Sequence, residues 1–312
     1  MKRAIDPRQH HIVPIAYLEH FIIPGTNRLF LLDLHTGAIR KQRPTKIMRR
    51  RDYYRQPHAP AEKGEFCFEI EIGKRLETQI KPLFKKLIAG GMDISEEELI
   101  LLIQYLELQR IKVPKQADFA KTLAKQYVEN VALSIPEVAV GLVKDHFRVV
   151  IKDEFRFNFM HDMIKSQVYF RYFLRMIWSV WTVPDGMHLV TTDNPVTIFN
   201  PDFVHLEQSG IARLGCVVLF PLTPRYLLEL IHPERERDPG FDPAETVEAA
   251  LEDHDSVEIR AGKTLPRDKT DAINFVMTVR ADRSVVSDDA ATLKSISQLL
   301  VGPGSDRGNY LR

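Results

Sequence analysis

His10 and His11 stand side by side before Ile12-Val13-Pro14, and adjacent imidazoles are the first place in this chain where proton transfer or metal ligation can be sought. Neighbours in regular structure diverge, by about 100° around a helix or onto opposite faces of a strand. In irregular backbone ahead of a helix, however, both rings can converge on one cation, or one can ligate while the other orients a substrate oxygen. The competing reading is structural, with the rings capping a helix or satisfying buried carbonyls. No HExxH, HxH or HD pattern lies nearby to decide between them. The second informative stretch is Thr191-Thr192-Asp193-Asn194-Pro195-Val196, where a carboxylate and an amide at a strand end either present a ligand to a pocket or simply make a tight turn. Glu69 and Glu71 stand in an apolar run, FCFEIE, and at i,i+2 on a helix only one of them can face the core. Arg110 closes a leucine-rich helix, where a guanidinium either complements the helix dipole or clamps an anion. His161, among apolar neighbours, reads as a core histidine. Seven basic residues between Arg40 and Arg51 read as a solvated connection or as a phosphate-binding arm.

Patterns around these residues indicate what must hold them. Pro14 can open a helix at its first position, with Ile15, Leu18 and Phe21 on its buried side. Leu29 to Leu34 followed by His35-Thr36-Gly37 predicts a strand entering a hairpin. A helical stripe begins at Glu65 and ends at Gly90-Gly91. Ser95-Glu96-Glu97-Glu98 is a capping box that launches a helix to Arg110, and Pro114 stops it. Further helices are expected over 116–133, 136–151 and 158–178, with the apolar run Val168 to Trp181 as a core helix too short and too arginine-bearing to span a membrane. Strands are expected at 187–192, 196–199, 216–220 (closed by Pro221) and 226–231. After a polar loop over 232–243, helices follow near 245–250, 268–280 and 293–300.

Composition sets the class. Apolar residues make up 44% and charged residues 27% of 312, the values of an ordinary globular protein, and 43 basic against 42 acidic side chains leave no global field that would drive the chain to nucleic acid or an anionic membrane. Two isolated cysteines, Cys67 and Cys216, and an N-terminus without the apolar run of a signal peptide point to a reduced, cytoplasmic protein. There is no phosphate-binding loop, dinucleotide fingerprint, nucleophile elbow or kinase motif set.

Taken together, HHIVPIAYLEHF, FEIE, LQR-x-x-x-P, TTDNPV and FPLTP, in this order over residues 10–285, resemble the bacterial family of the domain of unknown function 4238, with its H-H-x-V-P-x-x-Y-L and S-D-N-P-V patterns. Thr192 stands where that pattern has serine. The resemblance implies no reaction, but it singles out His10, His11, Pro14, Tyr17, Glu69, Arg110, Asp193, Asn194, Pro195 and Asn274. The resulting expectation is an α+β protein with a mostly helical body and a small, mainly antiparallel sheet. It forms one compact domain, divisible at 1–64, 65–182 and 183–301, with a mobile tail over 302–312. Functionally, the expectation is a hydrolase of a phosphodiester or nucleotide, nuclease-like and open to a divalent metal as cofactor. His10 and His11 would be metal ligands or acid-base groups, Asp193 and Glu69 metal-binding or water-positioning carboxylates, and Arg110 a charge clamp, with Asn194 beside them in the catalytic set. Nucleic acid or nucleotide would meet the chain through Arg40–Arg51, and the oligomeric state is open. The alternative is a binding or sensing protein in which the same residues form a structural network.

Overall fold

The computed structural model describes residues 9–56, 65–66, 75–143, 148–152, 154–202, 210–247 and 257–301; Cys67, Glu69, Glu71 and the 302–312 tail lie outside them. The chain begins with β1 (Gln9–His11) and α1 (Ile15–Leu18), which runs on as a 3-10 turn through Phe21. Pro14 sits one position earlier than expected. It is the extended N-cap, and its carbonyl accepts from the Tyr17 and Leu18 amides. The hairpin follows as β2 (Leu29–Asp33) and β3 (Ile39–Gln42), with Gly37 in the left-handed conformation its turn requires. The basic run is not a simple connection: it supplies β3, a 3-10 turn over Pro44–Lys46, and β4 (Arg49–Arg51), which pairs antiparallel with β1 so that His10 lies opposite Arg50.

Glu65-Phe66 is a turn, and the first long helix is α2 (Arg75–Ile88), which Gly90 terminates at φ +83°. In α3 (Glu96–Ile111) the capping box is complete: the Ser95 hydroxyl accepts the Glu98 amide and the Glu98 carboxylate accepts the Ser95 amide. Then come α4 (Pro114–Leu133), α5 (Pro136–Val143), α6 (Glu154–Ser166) and α7 (Phe170–Arg175). The single core helix expected over 168–181 does not form. After α7 the chain becomes β5 (Ile177–Thr182), because Trp178 and Val180 alternate with Ser179 and Trp181, a period-two pattern that a strand buries. Trp178 is fully buried, and its indole N–H donates to the Phe173 carbonyl at 3.0 Å.

The remaining elements are β6 (Thr191–Thr192), β7 (Thr197–Phe199), β8 (Val217–Thr223), β9 (Tyr226–Ile231), α8 (Glu234–Arg237), β10 (Ile259–Thr264), α9 (Arg267–Arg280), β11 (Ser284–Ser287) and α10 (Ala290–Val301). Three expectations are corrected here. The strand over 187–192 is cut to two residues, because the Asn274 side chain takes a partner strand's place: its Oδ1 accepts the Val190 amide and its Nδ2 donates to the His188 carbonyl, each at 2.9 Å. Pro221 lies inside β8 rather than closing it, and its missing N–H falls where the β8–β9 register shifts. Residues 245–247 are not helical; Thr246 bridges to Arg213, and the rest of the 245–250 helix lies outside the described residues.

The class is α+β, with one mixed sheet. The five-stranded sheet has the order β10-β5-β9-β8-β7, antiparallel except for β10–β5, and the four-stranded sheet β3-β2-β11-β6 is antiparallel throughout. The inner strands β8 and β9 of the larger sheet are buried on both faces, which explains the unbroken apolar run Val217-Val218-Leu219-Phe220, while the edge strand β10 is largely exposed. Val218, Phe220, Leu228 and Leu230 join the helical core with Leu83, Phe84 and Tyr105, while Val217, Leu219 and Leu227 pack with Ile273 and Met277 of α9. Tyr17 links the N-terminal segment to both sheets. Its hydroxyl donates to the Pro221 carbonyl at 2.7 Å and is left to accept from the Thr191 hydroxyl at 2.8 Å, and its ring stacks on Phe220.

Candidate anion-binding cleft

Asp193 emerges directly from β6 into the bend between α9 and β11. Its Oδ1 accepts the amide of Asp282, and its Oδ2 accepts those of Arg283 and Ser284, all at 2.8 Å. Burial pushes this carboxyl up to about 6, against the pull of those three N–H donors and with the Asp282 charge adding to the rise. Three donors occupy three of the four lone-pair directions a carboxylate offers, so one direction on Oδ1 is unclaimed by them. Asn194 faces elsewhere. Its amide N–H donates to Thr192 Oγ1, its Nδ2 donates to the Arg280 carbonyl at 3.3 Å, and its Oδ1 is buried without a hydrogen-bond partner among the described residues.

Asp193 and Ser284 line a cleft of about 450 Å³. One wall comes from the hairpin, with Asp33, Arg40 and Gln42; the other comes from the β1–β4 ribbon, with Ile12, Met48, Arg49 and Arg50; Pro114, at the positive end of the α4 dipole, stands among the lining residues. The lining holds five cations (Arg40, Lys46, Arg49, Arg50, Arg283) against three carboxylates (Asp33, Asp193, Asp282), an excess of two positive charges. Asp33 is claimed by Arg283, at 2.9 and 3.2 Å, and by Arg40, at 3.4 Å; Arg50 pairs with Asp282 at 3.1 Å. Lys46 and Arg49 have no carboxylate partner among the described residues, and both are exposed. Burial outweighed by the Arg283 guanidinium and by the Thr36 and His35 amides leaves the Asp33 carboxyl below its ordinary range. Met48 lines the cleft at φ +47°, a left-handed conformation that a non-glycine residue holds only where its surroundings impose it, and such strain gathers at binding sites.

The other sequence candidates lie outside this lining. His10 is fully buried. Its Nδ1 accepts the Tyr54 amide at 2.6 Å, which places the proton of the neutral ring on Nε2, and the ring stacks on Tyr54 and meets the edge of Phe66. His11 hydrogen-bonds the main chain at Thr45; burial first, then the Arg49 and Lys112 charges, push it below the ordinary histidine range, so it is neutral at pH 7. Arg110 forks onto Glu107, at 2.5 and 3.1 Å, and lies over the Tyr169 ring. Glu69 lies outside the described residues, as does the side chain of His161. Among the described residues no group of three or more His, Cys, Asp or Glu is placed to hold a metal ion, and no helix is long and apolar enough to cross a membrane. Sequence reasoning found Asp193 and the basic run but passed over Asp33, Met48, Asp282 and Arg283. Only folding brings these together, and no local pattern marks them.

No curated protein and no solved structure gives a significant match to this chain. A family model does, over residues 9–291, nearly the whole sequence, and it covers both walls of the cleft and the Asp193 turn. The chain therefore belongs to the family described as protein of unknown function DUF4238.

Proposed function

We propose that this cleft binds a phosphodiester or nucleotide and hydrolyses it, with Asp193 as the group that takes up and releases the proton. The observation that carries the reading is the excess of two positive charges around a buried carboxyl. Lys46 and Arg49, held by no carboxylate among the described residues, meet the phosphate oxygens, while the paired Arg40, Arg50 and Arg283 set the field. An anion of about two charges neutralises the lining, and a carboxyl poised at about 6 exchanges protons near neutral pH.

A specific observation favours the second reading, a binding protein without turnover: three main-chain donors already engage Asp193, as they would if it only pinned the bend. The test measures nucleotide and oligonucleotide binding alongside phosphate or nucleotide release, with magnesium and with chelator. Lys46→Gln and Arg49→Gln should each weaken binding about five- to tenfold and flatten its salt dependence, with the fold unchanged because both side chains are exposed. Asp193→Asn should bind and fail to turn over, and wild-type turnover should rise as pH rises through about 6. Binding that is insensitive to salt and to Lys46 would overturn the cleft as the phosphate site; turnover retained by Asp193→Asn would overturn Asp193 as the proton group, and binding without turnover in the wild type would leave the binding reading alone.

A further inference from the structure

The apolar stripe of α4 is buried where the helix begins and bare where it ends. Ala117 and Ala120 are buried and Ala124 is half-buried. At the same alternating three- and four-residue steps this face continues to Tyr127 and Val131, with Val128 beside them. There Tyr127 is 71% exposed and Val128 and Val131 are 43% and 48% exposed, while Leu123 and Ile135 extend the bare patch at either end. At roughly 150–250 Å² for a large side chain, such fractions leave about 450 Å² of apolar side chain exposed on each copy of the chain, a patch of the size that marks an interaction site. The patch is also close to neutral. Between Thr122 and Pro136 the only charged side chains are Lys125 and Glu129, which lie one helical turn apart and 3.5 Å from each other. An anionic membrane finds no spare cation there and an ionic partner no counter-charge, so its complement is another neutral apolar stripe.

We infer that the occupant is a second copy of this chain, and that the protein forms a two-fold dimer in which the exposed halves of two α4 helices pack antiparallel. A two-fold axis makes each residue meet the one equally far beyond the axis. With the axis between Tyr127 and Val128, Tyr127 meets the second copy's Val128 and Ala124 meets its Val131, so larger side chains face smaller ones. Lys125 then stands beside the second copy's Asn130 and Glu129 beside its Gln126, so no like charges meet. Two such patches remove about 900 Å² of apolar surface, and the polar rim around them brings the total past the ~1,000 Å² that a specific interface needs. Pro114 lines the Asp193 cleft from the other end of α4, some 20 residues and about 30 Å away, so pairing leaves that cleft open and stands whether or not it hydrolyses anything.

Sedimentation equilibrium of the full chain, from about 1 to 100 μM, should show a reversible monomer–dimer equilibrium with a micromolar dissociation constant. Tyr127→Glu places a charge in the middle of the seam and should weaken the dimer at least about tenfold. Asn130 tests the register: Asn130→Glu, beside the second copy's Lys125, should tighten the dimer about twofold, and Asn130→Lys should weaken it by a similar factor. Tyr127 and Asn130 are exposed, so far-ultraviolet circular dichroism should be the same for every variant. A wild type that stays monomeric at about 100 μM overturns the inference, and its flotation with phosphatidylcholine vesicles would assign the patch to lipid instead. A dimer that Tyr127→Glu leaves intact, or that both Asn130 variants shift alike, overturns it as well.

Discussion

Asp193→Asn tests in one substitution whether the buried carboxyl is perturbed as its surroundings require. An unfolded aspartate titrates near 3.9, and the native group is pushed up to about 6. The folded protein therefore holds this proton more tightly than the unfolded chain. Between about pH 4 and pH 6 the unfolded state releases it first, so the group's effect on stability becomes more unfavourable as pH rises, and it levels off above 6 at about 3 kcal/mol. The same arithmetic gives about 1.5 kcal/mol at pH 5 and about 2.8 kcal/mol at pH 7.5. Asparagine removes that pH-dependent part but also loses at least one of the three main-chain hydrogen bonds, because its NH2 faces a donor; this adds a pH-independent cost of about 1–3 kcal/mol. The measurable quantity is the difference between variant and wild type in urea unfolding at the two pH values. It should move by about 1.3 kcal/mol in the variant's favour from pH 5 to pH 7.5. A difference that stays flat across this range would refute the reasoning.

Two further substitutions probe the ties that hold the cleft in place. Tyr17→Phe removes the hydroxyl that joins Pro221 and Thr191, and urea unfolding should register a loss of about 1–3 kcal/mol; an unchanged midpoint would mean the two sheets are held together without it. Asn274→Ala strips the partners from the Val190 amide and the His188 carbonyl, so the chain over 188–190 should lose protection in hydrogen exchange before the strands of the larger sheet do. Equal protection there would show that Asn274 is dispensable.

Where the sequence was informative, the signal was local. Ser95 and Glu98 announce α3 because a capping box satisfies amides within four residues, and Gly25 and Gly37 mark the turns before β2 and between β2 and β3 because those turns depend on residues that tolerate positive φ. In the sequence β5 merges with the apolar run over 168–181, because six residues with one clear polar position, Ser179, alternate too briefly to set a strand apart from a core helix; its pairing with β9 and β10 decides the matter. The same limit hid β1, β10 and β11, whose edges are satisfied by strands far away in the chain.

Asp193 could be singled out in the sequence, as a carboxylate that either presents a ligand at a strand end or makes a tight turn. Its partners could not. The sequence drew attention to His10, His11 and Arg110, which the fold engages with the Tyr54 amide, the Thr45 main chain and Glu107. The groups set around Asp193 instead are Asp33 from a hairpin, Arg49 from a short ribbon and Arg283 from the bend beyond α9. The sequence by itself determined the helical middle of the chain, the cap of α3 and the basic run that begins beyond the hairpin turn, because propensity, capping and charge act over a few residues. Tertiary structure alone decided which of those charges line the cleft and which carboxyl is buried there, because desolvation and Coulomb energies depend on distances that only the packed chain sets.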